Sequence, residues 1–157
     1  MKIIRDIEKI LEMKNIGEIS FIRTSFYDSR FASEEKEAAI TAIIQMVLAL
    51  RKEKPTNYTI LKNETSLLVT FDFNHKCLVN LAFSTWENVT TPVFKIEIVG
   101  ANGMLQFDTQ ADNAYAGTYY QSSLSLATPE ISPELITYSC EFIEKINVAQ
   151  EMEVIVG

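Results

Sequence analysis

SLLVTFDFNHKCLVNLAFST, residues 66–85, decides how this chain folds. Its first eight residues put Leu67, Val69, Phe71 and Phe73 on one side and Thr70 and Asp72 on the other. That is the two-residue period of a strand with one buried face. Asn74-His75-Lys76 breaks the pattern with turn-prone residues. In the second run Cys77, Val79, Leu81 and Phe83 alternate with Leu78, Asn80, Ala82 and Ser84. Two amphipathic strands joined by a short polar connection predict an antiparallel hairpin laid over a core.

The same period continues downstream in VFKIEIVGANGMLQFD, residues 93–108, where Phe94, Ile96 and Ile98 alternate with Lys95 and Glu97. Gly100 and Gly103 have the spacing of a phosphate-binding loop. A dinucleotide fingerprint, however, needs a third glycine, a parallel strand before it and a helix opening after it. Here MLQFD follows, which reads as a strand, and no Lys-Ser or Lys-Thr completes a P-loop. Asn102-Gly103, two residues that tolerate positive φ, predicts a hairpin turn instead. Upstream, ISFIRTSFY (residues 19–27) is rich in β-branched and aromatic residues and predicts a further strand. The period is again two from Tyr58 onward, and Tyr115, Tyr119 and Tyr120 suggest one more strand.

Helical spacing frames these strands. Ile3, Ile4, Ile7, Ile10 and Leu11 predict a first helix, stopped by Asn15 and Gly17. Ser33 is a good N-cap, and Glu34, Glu35 and Glu37 follow at the positive end of a dipole as a solvated first turn. The apolar stripe of this long helix is Ile40, Ile43, Ile44, Val47 and Leu48. Arg51, Lys52 and Lys54 suit its other end, and Pro55 closes it. Ser132-Pro133-Glu134 opens a last helix carrying Leu135, Ile136, Phe142, Ile143 and Ile146. The pattern predicts a single domain over residues 1–157 of α+β class, an open, mostly antiparallel (mixed) sheet with helices on one face. The other face, showing Thr70, Asn80, Ser84, Lys95 and Glu97 among apolar neighbours, is available for dimerisation. A homodimer through that face is the expected assembly.

Hydrophobic residues make up 47% of the 157 and charged residues 22%, as in globular proteins. A net charge of −7 with no basic cluster argues against nucleic acid as a partner. No apolar run reaches the length of a membrane span, and the charges threaded through MKIIRDIEKILEM are unlike a signal peptide. Cys77 and Cys140 sit in apolar segments and predict two free, buried thiols, which points to a cytoplasmic location.

Side chains with catalytic chemistry are scarce. His75 is the only histidine, placed in a turn with no cysteine or second histidine near it, so no metal site is expected. No serine stands in a Gly-x-Ser-x-Gly setting. Trp86 and the tyrosines at 115, 119 and 120 read as core or interface. These residues assign no catalytic group.

The order and content of the segments nonetheless resemble the C-terminal domain of the glucose-fructose oxidoreductase, inositol dehydrogenase and MocA family. IGEISFIRTSFYDSRF (residues 16–31) is similar to the opening of that domain, where a Gly-x-Ile strand follows a helix. The 66–85 hairpin resembles the family's strand, short turn and strand. Residues 93–108 match its Ile-x-Gly-x-x-Gly-x-Leu hairpin, which in the family is sheet. The resemblance covers about residues 1–110 and, more weakly, the last helix. It implies a role in dimerisation and in shaping a substrate pocket for hydride transfer at a sugar or polyol carbon. It implies Arg23, Tyr27 and Arg30, at the end of the first strand, as substrate-binding residues suited to hydroxyls and carboxylates.

Departures from the family accompany the likeness. Its enzymes carry a Rossmann domain, and these 157 residues contain none, so NAD or NADP is expected only if that domain is supplied elsewhere as a separate or missing partner. Glu53-Lys54-Pro55 has the letters of the family's catalytic lysine motif but follows the long helix, the wrong place for it. The family's Asp-x-x-x-His pair is missing from SEEKEAAITAIIQMVLALRK, which holds neither residue type. Two other readings stay open: a non-enzymatic interaction module derived from the family, and a small-ligand-binding α+β domain.

Overall fold

The computed structural model describes residues 16–29, 33–87, 89, 92–108, 131–149 and 154–156. The expected first helix, the strand suggested around Tyr115 to Tyr120, and Arg30 lie outside the described residues. Within them the chain runs β1 (Ile19–Asp28), α1 (Ser33–Arg51), β2 (Asn57–Lys62), β3 (Ser66–Phe73), β4 (Cys77–Thr85), β5 (Val93–Gly100), β6 (Gly103–Asp108), α2 (Pro133–Val148) and β7 (Val154–Val156).

The strands form one sheet in the order β6-β5-β1-β4-β3-β2-β7. Only β1 with β4 is parallel, and the other pairs are antiparallel, so the sheet is mixed and mostly antiparallel as expected. The parallel pair follows from topology. Antiparallel neighbours can be joined by tight turns, as β3–β4 and β5–β6 are, whereas β1 reaches β4 only after α1 and two further strands. β7 has no precedent in the sequence pattern, since three residues are too few to establish a period.

Register fixes which side chains share a face. Ile22 lies opposite Val79 and Ile98, Phe26 opposite Phe83 and Phe94, and Val69 opposite Leu81, and all are buried. The two helices pack on this side, and with these residues they form one apolar core. Residues 39, 40 and 42–49 of α1 are all buried, so its stripe extends around most of its circumference. Phe142 of α2 meets Tyr58 and Phe71 with ring centroids 5.0 Å from each. Between the helices Gln45 Nε2 donates to Ser139 Oγ at 3.0 Å, which itself donates to the Ile136 carbonyl at 2.7 Å. This chain satisfies two buried polar groups that would otherwise destabilise the layer.

Ser132 caps α2, accepting from Leu135 N–H at 3.4 Å with Pro133 just inside, as its sequence predicts. Lys62 Nζ donates to the Ile146 carbonyl at 3.1 Å, a cation at the negative end of that helix. α1 ends at Arg51, before Pro55. Lys52 takes φ 56°, and its N–H reaches the Leu48 carbonyl at 2.7 Å. That is the left-handed stop more often made by glycine.

Two expectations are corrected. Cys77 is buried, but Cys140 is exposed, because its position on α2 turns away from the stripe of Leu135, Phe142, Ile143 and Ile146. The second concerns the glycine hairpin. Gly100 pairs with Gly103, so the turn residues are Ala101 and Asn102, and neither Asn102 nor Gly103 has positive φ. The positive angles belong to Asn74 (53°) and His75 (57°) in the other hairpin, the φ pattern of a type I′ turn. Glycine is required at position 100 for space: a Cβ there would stand 2.3 Å from the Ile16 carbonyl oxygen.

Candidate functional site

The side of the sheet away from the helices is the candidate site. Along β4 the exposed or half-buried Leu78, Asn80, Ala82 and Ser84 alternate with the buried Cys77, Val79, Leu81 and Phe83. Along β5 Lys95 and Glu97 alternate with the buried Phe94, Ile96 and Ile98. Thr70, Asn80, Ser84, Lys95 and Glu97 all lie on this open face, as their spacing predicts.

Across the strands these residues meet in register. Arg23 is flanked by Asn80 on β4 and Glu97 on β5. Lys95 Nζ reaches Asp108 Oδ2 at 3.5 Å, and the Ser66 and Ser84 hydroxyls are 2.8 Å apart. Tyr27 stands edge-on to Trp86 with centroids 6.2 Å apart. Two shallow grooves lie on the face. One, of about 280 Å³, runs beside Phe21, Thr59, Thr70 and Leu78. The other, of about 360 Å³, is bounded by Tyr27, Leu61, Leu68 and Ala82.

Of the residues implied for substrate, Arg23 is exposed and Tyr27 half-buried, both on this open face, four positions apart on β1. Arg30 is outside the described residues. Trp86, read from sequence as core or interface, is 45% exposed and so is not part of the core. Among the sheet residues whose burial is described, Leu78, 56% exposed, carries the most exposed large apolar side chain. Alternation alone places it outward, although its type suggests the core.

The motifs with catalytic or cofactor letters are occupied by structural contacts. Lys54 Nζ pairs with Glu134 Oε1 at 2.9 Å and holds that carboxyl below its ordinary pKa, while Glu53 pairs with Arg51. Glu53-Lys54-Pro55 thus ties the end of α1 to the start of α2. In the glycine hairpin Asn102 N–H donates to the Ile16 carbonyl at 2.7 Å and Ala101 N–H to the Glu18 carbonyl at 3.1 Å. A phosphate loop must leave such donors free, so these residues do not fit a nicotinamide dinucleotide. His75 pairs through Nδ1 with Asp72 Oδ2 at 2.9 Å, with its side chain 84% exposed. Burial pushes the Cys77 thiol up. No group of three or more metal-ligating side chains exists among the described residues. No helix among them is long and apolar enough to cross a membrane.

No family model matches the sequence, and no curated protein matches it. Solved structures do. An oxidoreductase from Bacillus cereus aligns with TM-score 0.61 and 14% identity over 94% of this chain and 67% of its own. Myo-inositol 2-dehydrogenase from Lactobacillus plantarum aligns with TM-score 0.55 and 15% identity over 96% of this chain and 53% of its own. For scyllo-inositol dehydrogenase from Lactobacillus casei the TM-score is 0.53 and the identity 15%, over 94% and 51%. The chain spans roughly half to two thirds of the length of these proteins. Its fold is the one it shares with inositol dehydrogenases and related oxidoreductases over that part of their chains.

Proposed function

We propose that this chain is the sheet domain of a cytoplasmic oxidoreductase acting on a sugar or polyol. Its own part is to join two copies through the open face and to shape a substrate pocket. Hydride transfer belongs to a nicotinamide cofactor held by a nucleotide-binding domain supplied elsewhere. The observation that carries this reading is the contrast between a sealed helix face and a half-polar open face with an exposed leucine at 56%. A surface too apolar to leave wet and too polar for a core suits a two-fold partner. Arg23 and Tyr27, with Arg30, are the groups we assign to hydroxyls or carboxylates of a substrate at the rim.

Two measurements test it. Light scattering should give a dimer at about tens of micromolar, a working range for a specific interface, and a monomer there would overturn the assembly. Titrating NADH and NADPH should give no saturable fluorescence change with this chain alone, and micromolar saturation would overturn the division of labour.

A second reading rests on α1, which offers neither Asp nor His for a proton relay. It is an interaction module that keeps the sheet without the reaction. Adding a nucleotide-binding domain of this oxidoreductase type in trans separates the two, since only the first reading expects polyol-dependent reduction of NAD or NADP.

A further inference from the structure

Register sorts the open face into rows that run across the strands. Thr59 lies opposite Thr70, Thr70 opposite Asn80, Asn80 beside Arg23, Arg23 opposite Glu97 and Glu97 opposite Gln106. Residues in register share a face, so these side chains form one line over β2, β3, β4, β1, β5 and β6. All of them are polar, and all are exposed or half-buried. Among the described residues none of these side chains has a hydrogen bond or ion pair to another. With strands about 4.8 Å apart, the line is about 24 Å long. The next row holds Leu78, Phe21, Val99 and Met104 on β4, β1, β5 and β6. The first groove lies where the two rows meet, lined by Thr59, Thr70 and Asn80 from one and by Phe21 and Leu78 from the other.

We infer that this row is a binding track for an extended, uncharged saccharide chain. Thr59, Thr70, Asn80 and Gln106 each offer a donor and an acceptor, Arg23 offers donors and Glu97 acceptors. A hydroxyl both donates and accepts, so a polyhydroxylated chain can satisfy every member of the row in turn. Sugar rings also carry C–H faces, and the row of Leu78, Phe21, Val99 and Met104 gives these an apolar surface one residue spacing away. Charge selects the neutral chain. The row holds one cation and one anion, Arg23 and Glu97, which cancel. An acidic chain would meet Glu97 on a protein of net charge −7, and a basic one would meet Arg23. Length selects a chain over a single ring, which would reach only one or two neighbours along a line of about 24 Å. The track is additional to the pairing proposed above. Both use the open face, so a bound saccharide and a second copy exclude each other.

The test is isothermal titration calorimetry on the full chain, at concentrations where light scattering shows a monomer. The probes are cellohexaose, glucose and the acidic hexamer of galacturonic acid. Cellohexaose should bind saturably, with glucose and the acidic hexamer each weaker by about tenfold or more. Asn80→Ala, at the middle of the row, should lower the affinity for cellohexaose about three- to tenfold. Thr70→Ala should act in the same direction and covers the case in which Asn80→Ala misfolds. Glu141→Gln, exposed on α2, should leave the affinity unchanged. Where a pair persists at every concentration, cellohexaose should dissociate it in sedimentation equilibrium. Absence of saturation, equal binding of glucose, tighter binding of the acidic hexamer, indifference to both row variants, or a pair that cellohexaose leaves intact would overturn the track. A wild type that is monomeric throughout yet binds cellohexaose would sink the pairing and leave the track standing.

Discussion

Phe71 and Thr70 are neighbours on β3, and they meet opposite surroundings. Phe71 is 1% exposed, with Phe142 of α2 5.0 Å away, while Thr70 lies half-buried on the open face beside a groove. The same contrast repeats along β1, β4, β5 and β6, because successive side chains of a strand must point to opposite faces. On the helix face the buried side chains are mostly apolar, with Thr24, Gln45 and Ser139 as the buried polar ones. On the open face the chemistry is mixed, and the polar groups meet one another across strands. Stability therefore resides mainly in the first face, and recognition is left to the second.

The largest effect should come from breaking the helix face. Phe71→Ala removes a fully buried ring and should cost about 3–5 kcal/mol, whereas Thr70→Ala should stay within about 0.5 kcal/mol when the protein is monomeric. Urea denaturation of both variants below the dimerisation range checks this. Equal losses would mean that the faces are not distinct.

Clearance on the helix face gives the next effect. Gly100→Ala drives a methyl group against the Ile16 backbone and should cost about 1–3 kcal/mol. Gly103→Ala meets only an Ile16 methyl at 3.5 Å, an ordinary contact, and should cost less than about 1 kcal/mol. If Gly103 proved the more sensitive, turn conformation rather than space would govern this hairpin.

A smaller, pH-dependent effect belongs to Tyr138 on α2. Burial pushes its phenol from 10.0 to about 12. The folded state thus favours the neutral form, so the contribution of Tyr138 is fully present below pH 10 and is lost as pH rises through about 12. Tyr138→Phe should flatten the fall in stability across that window, as followed by denaturant midpoints. An unchanged slope would show that the phenol ionises as freely folded as unfolded.

The smallest effect should come from the open face. Asp108→Asn breaks the 3.5 Å pair with Lys95, and because Lys95 is about half exposed the loss should be below about 1 kcal/mol. A cost comparable to that of Phe71→Ala would contradict the division between the faces.

Much of the fold was legible because its strands are strictly amphipathic. Leu67 to Phe73 and Cys77 to Phe83 announce both the hairpin and its buried side, and Ser132-Pro133 announces the start of α2. The open face was legible too, since Thr70, Asn80 and Lys95 occupy the alternate positions. The exposure of Cys140 is not legible in the sequence, because an apolar neighbourhood does not say which side of a helix a residue takes. The glycine pair lies in the hairpin that its sequence predicts, but not through positive φ. Sequence reports which residues tolerate positive φ, but Gly100 is needed because the Ile16 carbonyl, distant along the chain, passes close to it.

The local period, the caps and the balance of charge were thus determined by the sequence itself, since each depends on neighbours within a few residues. The insertion of β1 between β4 and β5, the three-residue β7 ladder, the contact between Lys54 and Glu134 and the grooves beside Leu78 and Leu61 were decided only in three dimensions. Each joins segments that no local pattern links, and only the packing of the whole sheet and its helices brings them together.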